Sequence, residues 1–417
     1  MNIMTSVRNV VGGSALMGLL LSIGLYSASA GALTQEITAE FRPDPAHVSN
    51  NKFVNTTPVS GYCAEYPSQC SLSFRLPITF ESNRPIQANH GDSRQGAMIS
   101  PPSEWKEVSV INSASGESER VRVRINGIGS TYSINNLSAV VPGSWSDVER
   151  HRKLWDSSSW VNVPRPCLYS GVGYPGSDSY GFFWKTPQAG VCSKLARYDI
   201  PLMKYTYLDF SYELEAPDPL KMSAGSYTGS VVYTVGPRGD FDMGDIMIPS
   251  DSEIRLDFTL KVDHILKVEI PPGGTKVELV PQGGWLAWLQ QGRKPSRLFR
   301  DQRFDIWTST RFKMKMECQY SVGNTCGLQN TTGTHRVPVD VRVSLPSALT
   351  DAAGRPVSRR PLLLDGSETD MFQPSHYVDH KPGSLHFEIQ KDSVEEMLTY
   401  DADKYSGNIT VIWDSEV

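Results

Sequence analysis

Beyond Ala30 the sequence contains no run of about 20 apolar residues, so no later segment reads as a membrane-spanning helix. C-x-x-C, H-E-x-x-H and G-x-S-x-G are all absent, which removes the usual zinc, metalloprotease and serine-hydrolase signatures. There is no basic excess: the formal net charge is −5, and −6 once Arg8 of a leader is set aside. A chain of that balance lacks the basic surface that displaces counterions from nucleic acid, so no nucleic-acid partner is expected. Helical periodicity is also scarce. Only WLAWLQQG (Trp285 to Gly292) and SVEEML (Ser393 to Leu398) read as short helices. The first is ended by Gly292; the second is expected to be capped by Ser393, with Glu396 three residues on.

The N-terminus carries Arg8, an apolar run from Ala15 to Leu25, and Ala28-Ser29-Ala30. This is the pattern of a secretory signal peptide over residues 1–30, cleaved before Gly31. The mature chain is therefore expected to be soluble and exported. Export makes disulfides the expected state of the six cysteines. They fall in three sequence-near pairs, Cys63/Cys70, Cys167/Cys192 and Cys318/Cys326. Pairing nearest neighbours is the most economical arrangement, because each bond then stays inside one hairpin or loop; six cysteines leave other pairings open.

The remaining signal is almost wholly β. ERVRVRING (Glu119 to Gly127) alternates Val121, Val123 and Ile125 against Arg120, Arg122 and Arg124. RFKMKMECQY, VDVRVSLP and LHFEI alternate in the same way, as antiparallel strands do when one face is packed and the other wet. Many short strands punctuated by 34 Gly and 28 Pro point to an all-β chain of β-sandwiches. At 417 residues there is room for two, with the boundary near Lys261 to Ile265: a first domain over 31–260 and a second over 261–417. LTQEITAEFRPDP (Leu33 to Pro45) alternates too, either as the first strand of the first domain or as a strand donated to a neighbour.

Two strands look like copies. YTGSVVYTV (Tyr227 to Val235) and YSGNITVIWDSEV (Tyr405 to Val417) both run Tyr, small hydroxyl residue, Gly, then apolar alternation. After the first copy comes another strand, IRLDFTLKV (Ile254 to Val262); no such strand follows the second copy in the sequence. The second copy is apolar on both faces, which suits an interior strand. The expectation is a second domain that lacks its last strand, with Ile409, Val411, Ile412 and Trp413 lining a groove that a strand from another polypeptide fills. The rival expectation is that an earlier strand of the same domain takes the place.

LKVEIPPGGTKVELVPQGGWLAWLQQGRKP, RDQRFDIW, RFKMKMECQYSVGNTCGL, HRVPVDVRVSLP, YVDHKPGSLHFEI and the terminal YSGNITVIWDSEV together resemble the pilin domain of class 5 (alternate chaperone pathway) fimbrial tip subunits, the CblD-like pilus biogenesis initiators. The resemblance covers most of residues 261–417; the first domain resembles the family's adhesin domain through its position and the YTGSVVYTV end. It implies two immunoglobulin-like β-sandwich domains, with the C-terminal pilin domain lacking its last strand. It implies that a periplasmic pilus chaperone supplies that strand first, and that the major fimbrial subunit replaces it at the outer-membrane usher. It also implies a tip subunit on the cell surface that initiates assembly and binds a host glycan or glycoprotein receptor. No enzyme activity, cofactor or metal is implied.

For the receptor, WSDVERHRKLWDSSSWVNVPRP (Trp145 to Pro166) mixes tryptophans for sugar C–H faces with basic side chains for a sialyl carboxylate. Arg150, Arg152, Trp155, Trp160 and Arg165 are the candidates there, and Arg238 is another beyond the YTGSVVYTV strand. Arg238 also opens an RGD tripeptide ending at Asp240. His376, His380 and His386 cluster in sequence, but Pro382-Gly383 and the strand that follows argue against a helical metal pair. The rival functions are an assembly initiator without its own receptor and a secreted β-sandwich hydrolase.

Overall fold

The computed structural model describes residues 33–292, 294–400 and 403–415; the leader expected over residues 1–30 lies outside them. The chain is mostly β, in two sheet bodies with separate hydrophobic cores.

The first body is built around a 13-stranded sheet. Its long member, Ser118–Ile134, shows why the sequence makes a strand there: Val121, Val123 and Ile125 are fully buried. On the wet face Arg122 and Arg124 lie over the Trp105 ring, and Arg124 Nε donates to Glu213 of the neighbouring strand at 2.7 Å. Such cross-strand pairs fix register without occupying core space. Leu208–Glu215 and the hairpin of Leu168–Pro175 with Ser179–Lys185 also pair with strands of this sheet.

The far side of the sheet runs Lys106–Asn112, Gly225–Thr234, Glu253–Val262, Leu33–Phe41. Gly225–Thr234 pairs with Glu253–Val262 along its whole length, and Leu33–Phe41 lies parallel to Glu253–Val262 from Leu33↔Ile254 to Phe41↔Val262. The N-terminal strand thus pairs within its own chain, as the first-strand expectation has it, and the core face beneath is closed: Ile254, Leu256, Phe258, Leu260 and Val262 are all buried.

Three residues separate the last strand of the first sheet, ending at Val262, from the first of the second, starting at Leu266. Between them His264 is held at both ring nitrogens, by Ser309 Oγ at 3.1 Å and Met222 O at 2.9 Å, with its edge against Phe41. Burial pushes its pKa below the ordinary histidine value.

The second body sets a larger sheet against a smaller pair. The larger runs Leu266–Glu269, Leu298–Thr308, Val378–Ile389, Arg336–Ser344, Thr325–Asn330, Ser321–Val322, and the pair is Lys313–Cys318 with Ile409–Asp414. Val337, Val339, Val341 and Val343 from one layer and Phe312, Met314 and Met316 from the other fill the space between. The three disulfides join Cys63 to Cys70, Cys167 to Cys192 and Cys318 to Cys326, the nearest-neighbour arrangement.

Two local expectations are corrected. SVEEML does not begin its helix at Ser393: the helix is Lys391–Met397, its N-cap is Gln390, and no side chain caps it. Ser393 lies inside the first turn and is buried, so its hydroxyl is not at the end it was expected to satisfy. LHFEI does not keep one face wet either. His386 and Glu388 are also buried; His386 bridges Asp301 and Ser344, and Glu388 pairs with Arg297 and Arg359. Burial of these polar groups is sustained because each has partners. The helix Gly284–Gln291 forms as expected, with Gly292 ending it at φ +62°.

Candidate assembly edge and surface cleft

Ile409–Asp414 has one hydrogen-bonded neighbour, Lys313–Cys318, in register from Cys318↔Ile409 to Lys313↔Asp414. Just before it, Tyr405–Ser406 pairs with Gln329–Asn330. No strand pairs with the other margin of Ile409–Trp413 among the described residues. This differs from the look-alike strand of the first body, which has Glu253–Val262 along one side and touches Lys106–Asn112 on the other.

The side chains register the same difference. Tyr227 and Tyr233 of the first copy are fully buried, whereas Ile409, Val411 and Trp413, which face their core, are only half-buried. Trp413 sets its ring edge-on to Phe304 at 5.6 Å, and its indole N–H is buried with no hydrogen-bond partner among the described residues. Leu266, Val268, Val277, Leu279 and Leu328 are further half-buried apolar residues on the same core. Ile412, on the opposite face of the strand, is half-buried too, while Thr410 is exposed. An edge of this kind offers unpaired backbone donors and acceptors beside apolar side chains, the two elements that β-augmentation uses for affinity and selection.

A second feature lies on the first body. Gly61 precedes the short helix Tyr62–Glu65, which the Cys63–Cys70 disulfide pins to its loop. Gly61 has φ +67°, and a Cβ there would meet Asp209 Oδ1 at 2.6 Å, so only glycine lets that carboxylate come so close. Asp209 in turn takes a two-point fork from Arg75, Nε at 2.9 Å and Nη2 at 2.7 Å, while Arg75 Nη1 donates to Glu65 at 2.8 Å. Burial raises the Asp209 carboxyl above its ordinary value against the pull of Arg75, and the bond to Asp209 holds the guanidinium firmly protonated. The guanidinium lies 4.0 Å above the Tyr207 ring. These groups border a cleft of about 350 Å³ whose other walls include Tyr62, Tyr66 and Tyr174. Tyr66 and Tyr174 stack at 5.9 Å, and Tyr62 is backed by Phe183 at 3.8 Å.

The residues expected to contact a receptor are not gathered into that cleft. Trp155 and Trp160 are 0% exposed and belong to the core. Trp155 donates to the Tyr132 hydroxyl at 3.0 Å, and Trp160 stacks on Trp184 at 4.9 Å. Their assignment as receptor contacts is therefore corrected: the polar, Ser-rich stretch around them folds so that the rings fill the interior. Arg150 is engaged by Asp147 and by the Gly143 carbonyl, and exposed Arg152 pairs with Glu149. Arg165 is exposed ahead of Pro166, and Arg238 is exposed in a turn at φ +63°. In the RGD turn, Asp240 accepts hydrogen bonds from the backbone N–H and hydroxyl of Thr234, so its carboxylate is tied back to its own strand. Of the three histidines, His380 stacks on Trp307, His376 bonds Ser375, and His386 pairs with Asp301. The tyrosine cleft escaped sequence reasoning because its walls come from segments far apart in the chain; the two tyrosines of GYCAEY, flanking a cysteine, were the available sign.

Several solved structures match most of this chain, at low identity and low TM-score. A chain of the chaperone–tip adhesin complex described as vital for activation of CFA/I fimbriae biogenesis matches over 93% of this chain and 97% of its own, at 11% identity and a TM-score of 0.23. CfaE, the adhesive subunit of the CFA/I fimbria of enterotoxigenic Escherichia coli, matches over 92% of each chain at 9% identity and a TM-score of 0.23. A chain of the CsuC–CsuE chaperone–tip adhesion subunit pre-assembly complex from archaic Csu pili of Acinetobacter baumannii matches over 92% of this chain and 98% of its own, at 9% identity and a TM-score of 0.22. No protein-family model and no curated protein matches the sequence. Likenesses of this degree leave the function to be decided by the residues described above.

Proposed function

We propose that the second body is an immunoglobulin-type sandwich short of one strand, and that an extended segment of another polypeptide completes it along the open margin of Ile409–Trp413. The observation that carries this reading is the pair of look-alike strands, one flanked and buried, the other with an unpaired margin and half-buried core side chains. Backbone groups buried without partners cost about 1–3 kcal/mol each, so the groove is stable only wet or filled. On this reading the protein is a minor fimbrial tip subunit, exported through the periplasm to the cell surface. A periplasmic chaperone holds the groove first, the major fimbrial subunit replaces it at an outer-membrane usher, and the first body binds a host glycoconjugate.

The test is a fusion. A designed donor of about seven residues, alternating valine and threonine, is joined after Val417 through a flexible linker, and a twin carries aspartate in place of each valine. The valine donor is expected to raise the melting temperature of the second body and suppress aggregation, and the aspartate twin to do neither. Superimposable melting curves for the unfused chain and the valine fusion would show that no groove is there to fill.

A further inference from the structure

The cleft beside the Tyr62–Glu65 helix carries more than its position. Its one cation, Arg75, is already bound by two carboxylates, Asp209 through a fork and Glu65 through Nη1. The group is net negative, and an incoming carboxylate would meet Glu65 rather than a free guanidinium. Glu65 is exposed, with lone pairs left to accept from hydroxyls. Tyr174 is 48% exposed at the rim and stacks on Tyr66, which gives a flat apolar wall beside these polar groups. A fixed carboxylate, a fixed guanidinium and an aromatic face in a cleft of about 350 Å³ together suit a compact, uncharged ligand with vicinal hydroxyls and an apolar ring face.

We infer that this cleft, and not the arginines of the Trp145–Pro166 segment, holds the receptor, and that the unit it takes is a neutral saccharide rather than a sialylated one. The inference rests on the adhesive reading above and narrows it to a site and a ligand class. The sugar's C–H face lies on Tyr174, its hydroxyls donate to Glu65, and the remaining N–H groups of Arg75 donate to its oxygens. The close packing of Asp209 against Gly61 keeps the guanidinium in place, which lowers the ordering cost of binding.

The experiment uses the mature chain completed by the fused valine donor, applied to arrayed neutral glycans and their sialylated counterparts, with attachment to cultured epithelial cells measured in parallel. Neutral glycans are expected to bind, and sialylation of the same glycan to weaken binding. Tyr174→Ala is expected to reduce affinity about tenfold, Tyr174→Phe to retain it, and Glu65→Gln to weaken it, with circular dichroism and melting unchanged. Both side chains are exposed, so neither substitution touches the core. Glycan binding that survives Tyr174→Ala and Glu65→Gln, or that requires sialic acid, or that is lost with Arg152→Ala or Arg238→Ala instead, overturns the cleft while leaving adhesion standing. A donor-completed, folded protein that holds neither glycan nor cell overturns both.

Discussion

At the scale of single residues, the chain shows how far side-chain chemistry depends on what surrounds it. Trp155 and Trp160 sit among serines and charged residues in sequence, which reads as an exposed aromatic loop, yet both are core. Nothing local distinguishes the two readings, because their packing partners Tyr132 and Trp184 lie on strands elsewhere in the sequence. Asp351 shows the same point with charge. It accepts from the backbone N–H groups of Arg355 and Ala353 and from the guanidinium groups of Arg355 and Arg360. The backbone bond from Arg355, with that residue's side chain adding to it, holds the carboxyl down to about 2 from an ordinary 3.8. A depressed folded-state pKa stabilises the fold above pH 3.8, and that stabilisation is lost as the pH falls toward 2. The melting temperature of the second body should therefore drop across this window, and Asp351→Asn should drop less steeply because its share of the linkage is gone. Equal slopes for the two proteins would remove Asp351 from the account. Asp365 and Asp403, also lowered by hydrogen bonds, keep the variant's slope from vanishing.

At the scale of elements, alternation was the most legible signal, and it failed where both faces are covered. The strands containing ERVRVRING, RFKMKMECQY and VDVRVSLP put their apolar sets inward as their period requires. LHFEI misled because the face holding His386 and Glu388 is covered by a hydrogen bond between His386 and Asp301 and by ion pairs of Glu388 with Arg297 and Arg359, partners that period 2 does not reveal. The helix Gly284–Gln291 was legible from its terminal glycine, but its exposure was not: Leu286 and Leu289 are 73% and 75% exposed. For the terminal strand, the two faces respond differently to charge. Val411 packs on the core and Thr410 points to solvent. With the valine donor fused, Val411→Asp is expected to cost about 3 kcal/mol or more and abolish the second body's transition, whereas Thr410→Lys should change stability by no more than about 0.5 kcal/mol. Chemical denaturation of the two fusions checks this; equal losses would mean that the strand does not present Val411 to the core.

At the scale of the whole molecule, two bodies with similar strands manage their edges differently. In the first, Glu253–Val262 follows the YTGSVVYTV strand and is itself flanked by Leu33–Phe41, so the core beneath is sealed by residues of the same chain. In the second, Ile409–Trp413 has its neighbour on one margin alone among the described residues. The copy relationship made this difference legible in the sequence, while the tyrosine cleft was not, since the turn at Gly61, strand Ser73–Leu76, strand Leu208–Glu215 and the Leu168–Pro175 hairpin meet only in the folded molecule.

Backbone hydrogen exchange along Ile409–Trp413, in the mature chain with and without the fused valine donor, reads the open margin directly. The amides of this strand that do not donate to Lys313–Cys318 should exchange quickly in the unfused chain and become protected about 100-fold or more in the fusion. Protection of every amide from Ile409 to Trp413 in the unfused monomer would contradict the account.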